Sequence, residues 1–427
     1  MSRTVSLRHL GAGPGALFTD GDWVEAPHIT EAGNRLIQTG NVGVGIYREQ
    51  GFRYISDASF RELNCTEVLP GDVLICRLAD PVGRACLAPD LGVRMLTSVD
   101  VCICRPRPDL VDARFLVYYL SSSRYLDEID SIARGGTRQR ISRAQLGSAR
   151  LDLPDLGRQC AIADYLDVET ARIDALIAKK RRMVEVLLQR VDVAVADLVM
   201  GRGEPGRHPS ASGFFDGVPD TWHETALRHL GCEVQTGPFG SQLHAEEYVE
   251  GGWPVVNPMN LAGGSMKAVE GMTVTDEKRR ELGRHILRPG DIVFGRRGEM
   301  GRAGLVTDHE AGWLCGTGSL RLRLRGAALR PAYLSLLLGI RATRAYFELA
   351  SVGSTMDNLN SEIVLAMPTL VPPLPSQDRI VEAVQGIKTW ADEVCRRLND
   401  QLVLLAEHRQ ALITAAVTGE ISVGSAA

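Results

Sequence analysis

Arginine carries almost all the positive charge of this chain: lysine stands only at Lys179, Lys180, Lys267, Lys278 and Lys388 among 48 basic residues. A guanidinium is a planar fork of five donors that matches phosphate oxygens and guanine edges, so the chemistry to look for is recognition of nucleic acid. Two arginine-bearing strings share one plan. Leu69-Pro70-Gly71-Asp72-Val73-Leu74-Ile75 leads to Arg77 and then to Gly83-Arg84-Ala85; Arg288-Pro289-Gly290-Asp291-Ile292-Val293-Phe294 leads to Arg296-Arg297 and then to Gly301-Arg302-Ala303. Each reads as a turn feeding a short buried strand that delivers Arg77 or Arg296 into a loop, where a glycine allows close approach and Arg84 or Arg302 offers its fork. The plain alternative is a hairpin with solvated arginines.

The densest basic run is Arg134-Gly135-Gly136-Thr137-Arg138-Gln139-Arg140-Ile141-Ser142-Arg143, and its counterpart is Ser354-Thr355-Met356-Asp357-Asn358-Leu359-Asn360. Backbone punctuation matches while side chains differ. If Arg134, Arg138, Gln139, Arg140 and Arg143 read base edges, Asn358 and Asn360 would read different ones, because Arg, Gln and Asn prefer different donor and acceptor patterns. The run has a second meaning: Ser142 with Gln145 fits a capping box and could simply start a helix. Aromatic residues at 5% argue against a stacking platform for single strands, which leaves duplex DNA as the better target.

Catalytic chemistry finds little support. Gly11-Ala12-Gly13-Pro14-Gly15 lacks the surrounding strand-helix-strand unit of a dinucleotide or S-adenosylmethionine loop. Asn257-Pro258-Met259-Asn260 lacks the second proline and the aromatic of an amino-methyltransferase motif and reads as a turn. The loops Thr39-Gly40-Asn41-Val42-Gly43 and Thr236-Gly237-Pro238-Phe239-Gly240, which resemble each other, lack the Gly-Lys-Ser/Thr ending of a phosphate loop. No HExxH pair or Gly-x-Ser-x-Gly elbow occurs, and the nine cysteines include no CxxC, so reduced, buried thiols are expected and no bound metal.

What positions these residues is a duplication. Gly83/Gly301, Thr137/Thr355, Pro154/Pro372, Gln159/Gln377, Ile162/Ile380 and Gly201/Gly419 all keep one constant offset, about half the chain. That period far exceeds solenoid units of about 20 to 50 residues and implies two domain-sized copies. Each copy ends in a proline-punctuated stretch followed by a long helical segment. In Gln159–Met200, Ile162, Leu166, Ile173, Leu176, Met183, Leu187, Val191, Ala194 and Leu198 fall near a 3-4 alternation. In Gln377–Thr418 the seam is Ile380, Val384, Ile387, Ala391, Val394, Leu398, Leu405 and Leu412. Matching seams predict that the two helices pair, each about 60 Å long at 1.5 Å per residue. Gly201–Asp220, rich in Gly, Pro and Ser, is the expected hinge.

With 427 residues, 44% hydrophobic and 23% charged, the chain is an ordinary globular one of two or three domains. A net charge of -4 gives no global basic field, so DNA binding must rest on local patches or on partners. No stretch approaches a membrane span or a secretory signal, and the expectation is a cytoplasmic protein without membrane contact.

Taken in order and in duplicate, these motifs resemble the specificity subunit of type I restriction-modification systems. The resemblance covers nearly the whole chain. It rests on Thr236-Gly237-Pro238-Phe239-Gly240-Ser241, both Pro-Gly-Asp units, Gly353 to Asn360, Pro372-Pro373-Leu374-Pro375-Ser376-Gln377, Leu166 to Ile177, and Leu412 to Ile421. The first copy departs from the pattern, with Asn41-Val42 for Pro-Phe and Arg138 to Ser142 for Met-Asp-Asn-Leu-Asn. The resemblance implies an α/β (α+β) fold with an internal pseudo-twofold repeat: two globular target recognition domains separated by two long antiparallel coiled-coil helices that set the distance between DNA half-sites.

The boundaries it implies are a first recognition domain at 1–155, a spacer helix at 156–201, a linker at 202–220, a second recognition domain at 221–371, a second spacer helix at 372–419 and a tail at 420–427. It also adds Thr236, Phe239 and Ser241 to the arginines and asparagines as DNA-binding candidates. The function implied is noncatalytic: reading a bipartite, asymmetric duplex site and docking two modification (methyltransferase) subunits and the motor-driven restriction subunits. S-adenosylmethionine would sit on the modification subunits, and this chain would bind no cofactor. Two rivals stand beside it. A self-sufficient DNA methyltransferase would need the donor loop and amino-group motif that are missing; a coiled-coil scaffold without a nucleic-acid role leaves the paired arginine loops unexplained.

Overall fold

The computed structural model describes residues 3–133, 139–239, 242–296, 301–351 and 359–423. The chain divides into two compact units, one of residues 1–182 with 398–427 and one of residues 183–397. Each takes its globular body from one copy of the repeat and one end from each of two long helices, Leu156–Val199 and Leu374–Thr418.

In the first unit, the Pro-Gly-Asp string becomes a central strand. Val73–Cys76 pairs antiparallel with Ala85–Leu87 on one side and Val101–Arg105 on the other, and Leu17–Thr19 adds the fourth strand. A second sheet orders Ile29–Thr30, Tyr54–Ile55, Asn34–Ile37 and Met95–Thr97, the last pair parallel. Helices Ala113–Leu120, Ser123–Ile132 and Arg143–Ser148 follow, and Arg150–Leu153 pairs with Arg3–Ser6. The second unit repeats the plan. Its four-stranded sheet runs Cys232–Thr236, Ser319–Leu324, Ile292–Gly295, Ala303–Leu305, and its helices are Pro331–Gly339, Arg341–Ser351 and Ser361–Ala366. The first and third of these helices start at Pro331 and Ser361, which stand to Ala113 and Arg143 at the same offset as Gly301 to Gly83.

The Pro-Gly-Asp aspartate explains why both strings fold alike. Asp72 is buried, accepts the Leu69 N–H at 2.8 Å and grips the Arg105 guanidinium with both oxygens at 2.8 Å. Asp291 accepts the Arg288 N–H at 2.8 Å and grips Arg323 at 2.6 Å twice. One carboxylate thus closes the turn and ties its strand to the neighbouring one, through a bidentate pair that matches the planar fork. Gly83 and Gly301, at φ 81° and 76°, follow these strands. A Cβ there would meet Ile129 at 2.9 Å or Phe347 at 2.7 Å, so the close approach they permit is to the unit's own helix.

Within the first unit the two long helices run antiparallel. Arg409 donates to Asp174 at 2.9 Å and Lys180 to Gln401 at 2.6 Å. Ile162, Leu166 and Ile173 are buried there with Ile413, Ala416 and Val417 in one core or along the seam. The second helix follows its expected seam, with Ile380, Val384, Ala391 and Leu398 buried. Two residues expected in the first seam are not in it: Leu176 and Met183 are 47% and 49% exposed. A strict 3-4 progression from Leu166 passes instead through Thr170, Ile173, Ile177, Lys180 and Val184, all buried or half-buried. Polar residues hold two of these positions because each has a partner: the Thr170 hydroxyl donates to Leu166 O at 2.6 Å, and Lys180 reaches Gln401.

The segment Gly201–Asp220, expected as a hinge, is mostly exposed but anchored at two points. Arg207–His208 pairs with Val218–Pro219, and Phe215 and Val218 enter the core of the second unit with Val199 and Trp222. All nine cysteines are free thiols, five of them buried. Among the described residues no helix is long and apolar enough to cross a membrane.

Candidate nucleic-acid interface

In the first unit the arginines separate into two kinds. Arg84 is 7% exposed, and its guanidinium donates to four main-chain carbonyls: Val42 at 2.6 Å, Leu78 at 2.7 Å, Thr39 and Pro81 at 2.9 Å each. Arg77 is 6% exposed and donates to Val99 O at 2.6 Å. Neither the open fork nor the solvated hairpin expected of these two is present. A guanidinium taken out of water must be paired on its donors, so Arg84 stitches two loops together and cannot also hold a base.

Arg77 is the centre of a charge network. It lies 3.3 Å from Asp20 and 3.7 Å from Asp100. Arg140 reaches Asp100 at 2.7 Å, and Arg143 reaches Asp20 at 3.6 Å and the Thr19 hydroxyl at 3.5 Å. Three guanidiniums therefore share two carboxylates, one buried beneath and two about half exposed at the rim. Main-chain bonds fix the frame: Arg77 N–H donates to Asp100 O, Ile141 N–H to Arg77 O and Ala79 N–H to Gln139 O. Half-buried Gln139 thus contributes its carbonyl to the frame. The Cys102 thiol donates to Asp20 at 3.3 Å and is held protonated by burial, with the Asp20 charge adding to the effect.

Strand pairing gives the true correspondence in the second unit. Gly21 N–H donates to Val101 O and Gly237 N–H to Ser319 O, on strands where Val101 faces Cys76 and Ser319 faces Gly295. Thr236 therefore stands where Asp20 stands, Phe239 where Trp23 stands, and Gly318 where Asp100 stands. The likeness of Thr39–Gly43 to Thr236–Gly240 is corrected by this register. Thr39–Asn41 matches Pro258–Asn260: Asn41 and Asn260 each accept a main-chain N–H three residues back, at 2.8 Å, and donate into the following loop.

Phe239 is 64% exposed and Trp23 is 69% exposed, so each unit presents one aromatic on the loop after its edge strand. Trp23, Asp20 and Asp100 are absent from the residues singled out by sequence. The two loop strings, Asp20-Gly21-Asp22-Trp23 and Thr236-Gly237-Pro238-Phe239, share only the glycine and an aromatic at the fourth position.

Thr236 is half-buried at the end of its strand, and Arg296 and Arg302 are half-buried, Arg296 donating to Leu359 O at 3.4 Å. Beside them Arg321, buried, donates to Arg284 O at 2.9 Å and Glu233 at 2.7 Å. Buried His285 accepts from Arg284 Nε at 3.0 Å; burial first, then the Arg284 and Arg321 charges, push its imidazole down to about 4. Asn360 caps helix Ser361–Ala366 by accepting the Ile363 N–H at 2.9 Å, so its oxygen has a structural task in the fold. Ser142, at the matching position of the first copy, makes the capping box with Gln145. The basic run thus starts a helix and also places Arg140 and Arg143 at the rim. Arg134, Arg138, Ser241, Arg297 and Asn358 lie outside the described residues. Among the described residues no group of three His, Cys, Asp or Glu side chains could hold a metal ion.

No protein-family model matches the chain. It is 22% identical over 324 residues to the type I restriction enzyme EcoKI specificity subunit of Escherichia coli strain K12, covering 74% of this chain and 67% of that protein. It is 23% identical over 327 residues to the StySPI specificity subunit of Salmonella potsdam, with the same coverage. Its fold matches a chain from a structure describing complex assembly and conformational transition of the type I R-M system, with a TM-score of 0.71 at 15% identity over 98% of both chains. The HsdS subunit from Thermoanaerobacter tengcongensis matches with a TM-score of 0.52 at 16% identity, over 98% of this chain and 97% of that one. In sequence and in fold, the chain is similar to the specificity subunits of type I restriction-modification systems.

Proposed function

We propose that this chain is the noncatalytic DNA-reading subunit of a type I restriction-modification complex, in which each unit reads one half of a bipartite, asymmetric duplex site. One observation carries this: the two units share their scaffold and differ at the rim. The Asp-Arg grip, the caps at Ser142 and Asn360 and the buried Gln159 and Gln377 recur, while Asp20, Trp23 and Asp100 give way to Thr236, Phe239 and Gly318. Like frames with unlike rims suit two readers of unlike sequences. The partners are two methyltransferase subunits, which carry S-adenosylmethionine and methylate adenine, and the restriction subunits; this chain binds no cofactor. A net charge of -4 is compatible with the role if those partners neutralise much of the phosphate charge.

The test is to replace residues 221–371 with the equivalent body of a related subunit and sequence the methylated adenines in cells carrying the system. One half-site should change and the other persist. A change in both halves, or none, overturns the proposal.

A further inference from the structure

We infer that Asp20 and Asp100 are specificity-determining positioning residues of the first unit: they pair with Arg140 and Arg143, orient them at the rim and so bias which bases that unit reads. The inference deepens the DNA-reading function proposed above and rests on it.

The geometry is that of a shared clamp. Arg77 is more than nine-tenths buried, and neither its Nε, 3.3 Å from Asp20, nor Asp100 Oδ1, 2.7 Å from Arg140, makes a hydrogen bond of good geometry, so the cluster is held by charge pairing. Its charge is compensated jointly by Asp20 and Asp100, and each of those carboxylates passes on to one rim arginine. Without the two aspartates, three guanidiniums would crowd one strand end. With them, a net charge of +1 remains, concentrated on the two forks that reach solvent.

An arginine paired in this way has its rotamers narrowed before DNA arrives, so part of the ordering cost falls on folding instead of binding. It also meets a wrong base with a fork biased toward one pose, which is how a pose becomes discrimination. The second unit has Thr236 and Gly318 at the two positions, and neither can carry a negative charge, so this pair of carboxylates belongs to one half-site only.

The experiment uses the full complex in cells, with adenine methylomes recorded for wild type, Asp100→Asn, Arg140→Ala and the double variant. The half-site owned by the first unit is the one that persists when residues 221–371 are exchanged. The expected result is that Asp100→Asn relaxes base preference in that half by about tenfold at one position, leaves the other half intact, and adds nothing in the Arg140→Ala background. Unchanged preference, an equal loss in both halves, or a full effect in the absence of Arg140 overturns the inference. If Asp100→Asn abolishes all methylation, Asp100→Glu decides: return of the wild-type preference supports the clamp, and failure to methylate assigns Asp100 a structural role only. A wild-type complex that marks no bipartite site overturns the underlying function instead, and with it the inference.

Discussion

Gln159 and Gln377 make the same three hydrogen bonds at equivalent points of the two units. Gln159 accepts the Asp112 N–H at 3.0 Å and donates to Leu110 O at 3.3 Å and Pro154 O at 2.9 Å. Gln377 accepts the Arg330 N–H at 2.7 Å and donates to Ala328 O at 2.9 Å and Pro372 O at 2.8 Å. Every partner is displaced along the chain by the same offset as the glutamines themselves. Each glutamine fixes the first turn of a long helix against the loop that opens its own unit's helical layer. Gln159→Leu or Gln377→Leu removes all three bonds, although Leu110 O keeps a bond from Arg3 at 2.7 Å, and each should cost about 2–4 kcal/mol, read as a lowered urea midpoint.

The Pro-Gly-Asp aspartates should behave as fold residues. Asp72→Ala leaves Arg105, itself only partly exposed, without its bidentate partner and opens the turn at Leu69. The expected loss is about 3 kcal/mol, since one partner of a buried pair has been removed. Asp291→Ala should match it through Arg323. Unaltered thermal unfolding would contradict the tie between these strands.

Arg84 and Arg140 are predicted to part company. Arg84→Ala removes four bonds to main-chain carbonyls and should destabilise the first unit by several kcal/mol, by the measure of about 1 kcal/mol per bond. Arg140→Ala, at a half-exposed rim position, should leave stability within about 0.5 kcal/mol and weaken duplex binding. Calorimetry beside a DNA-shift assay of the reconstituted complex separates the two.

Trp23→Ala and Phe239→Ala test the exposed aromatics. Neither ring supports a core, so stability should hold, while duplex affinity of the complex falls by about tenfold for each, corresponding to about 1.4 kcal/mol. Unchanged affinity in both would remove these loops from the interface.

His285 makes the second unit sensitive to mild acid. Its imidazole is pushed from 6.5 down to about 4 when folded, so between those values the unfolded chain binds the proton and the folded one does not. Stability from the neutral ring is complete above about pH 6.5 and is lost as pH falls toward 4, by about 3 kcal/mol in all. His285→Asn should flatten that part of the stability-pH curve even if it lowers the plateau; an unchanged slope would contradict it.

Sequence by itself determined the duplication, its constant register, both long helices and most of the second seam, because these follow from local periodicity and from strings short enough to compare directly. Tertiary structure alone decided the rest. Which upstream loops correspond depends on hydrogen bonds between strands far apart in the sequence, and so Thr236 matches Asp20 and not Thr39. Leu176 and Met183 follow an approximate apolar spacing, yet the packed face runs through Thr170 and Lys180, whose polar ends found partners on or across the helix pair. Burial of Arg77 and Arg84 was equally illegible. Arginine is by default a surface residue, and only the carbonyls and carboxylates that folding gathers around it can keep its charge out of water.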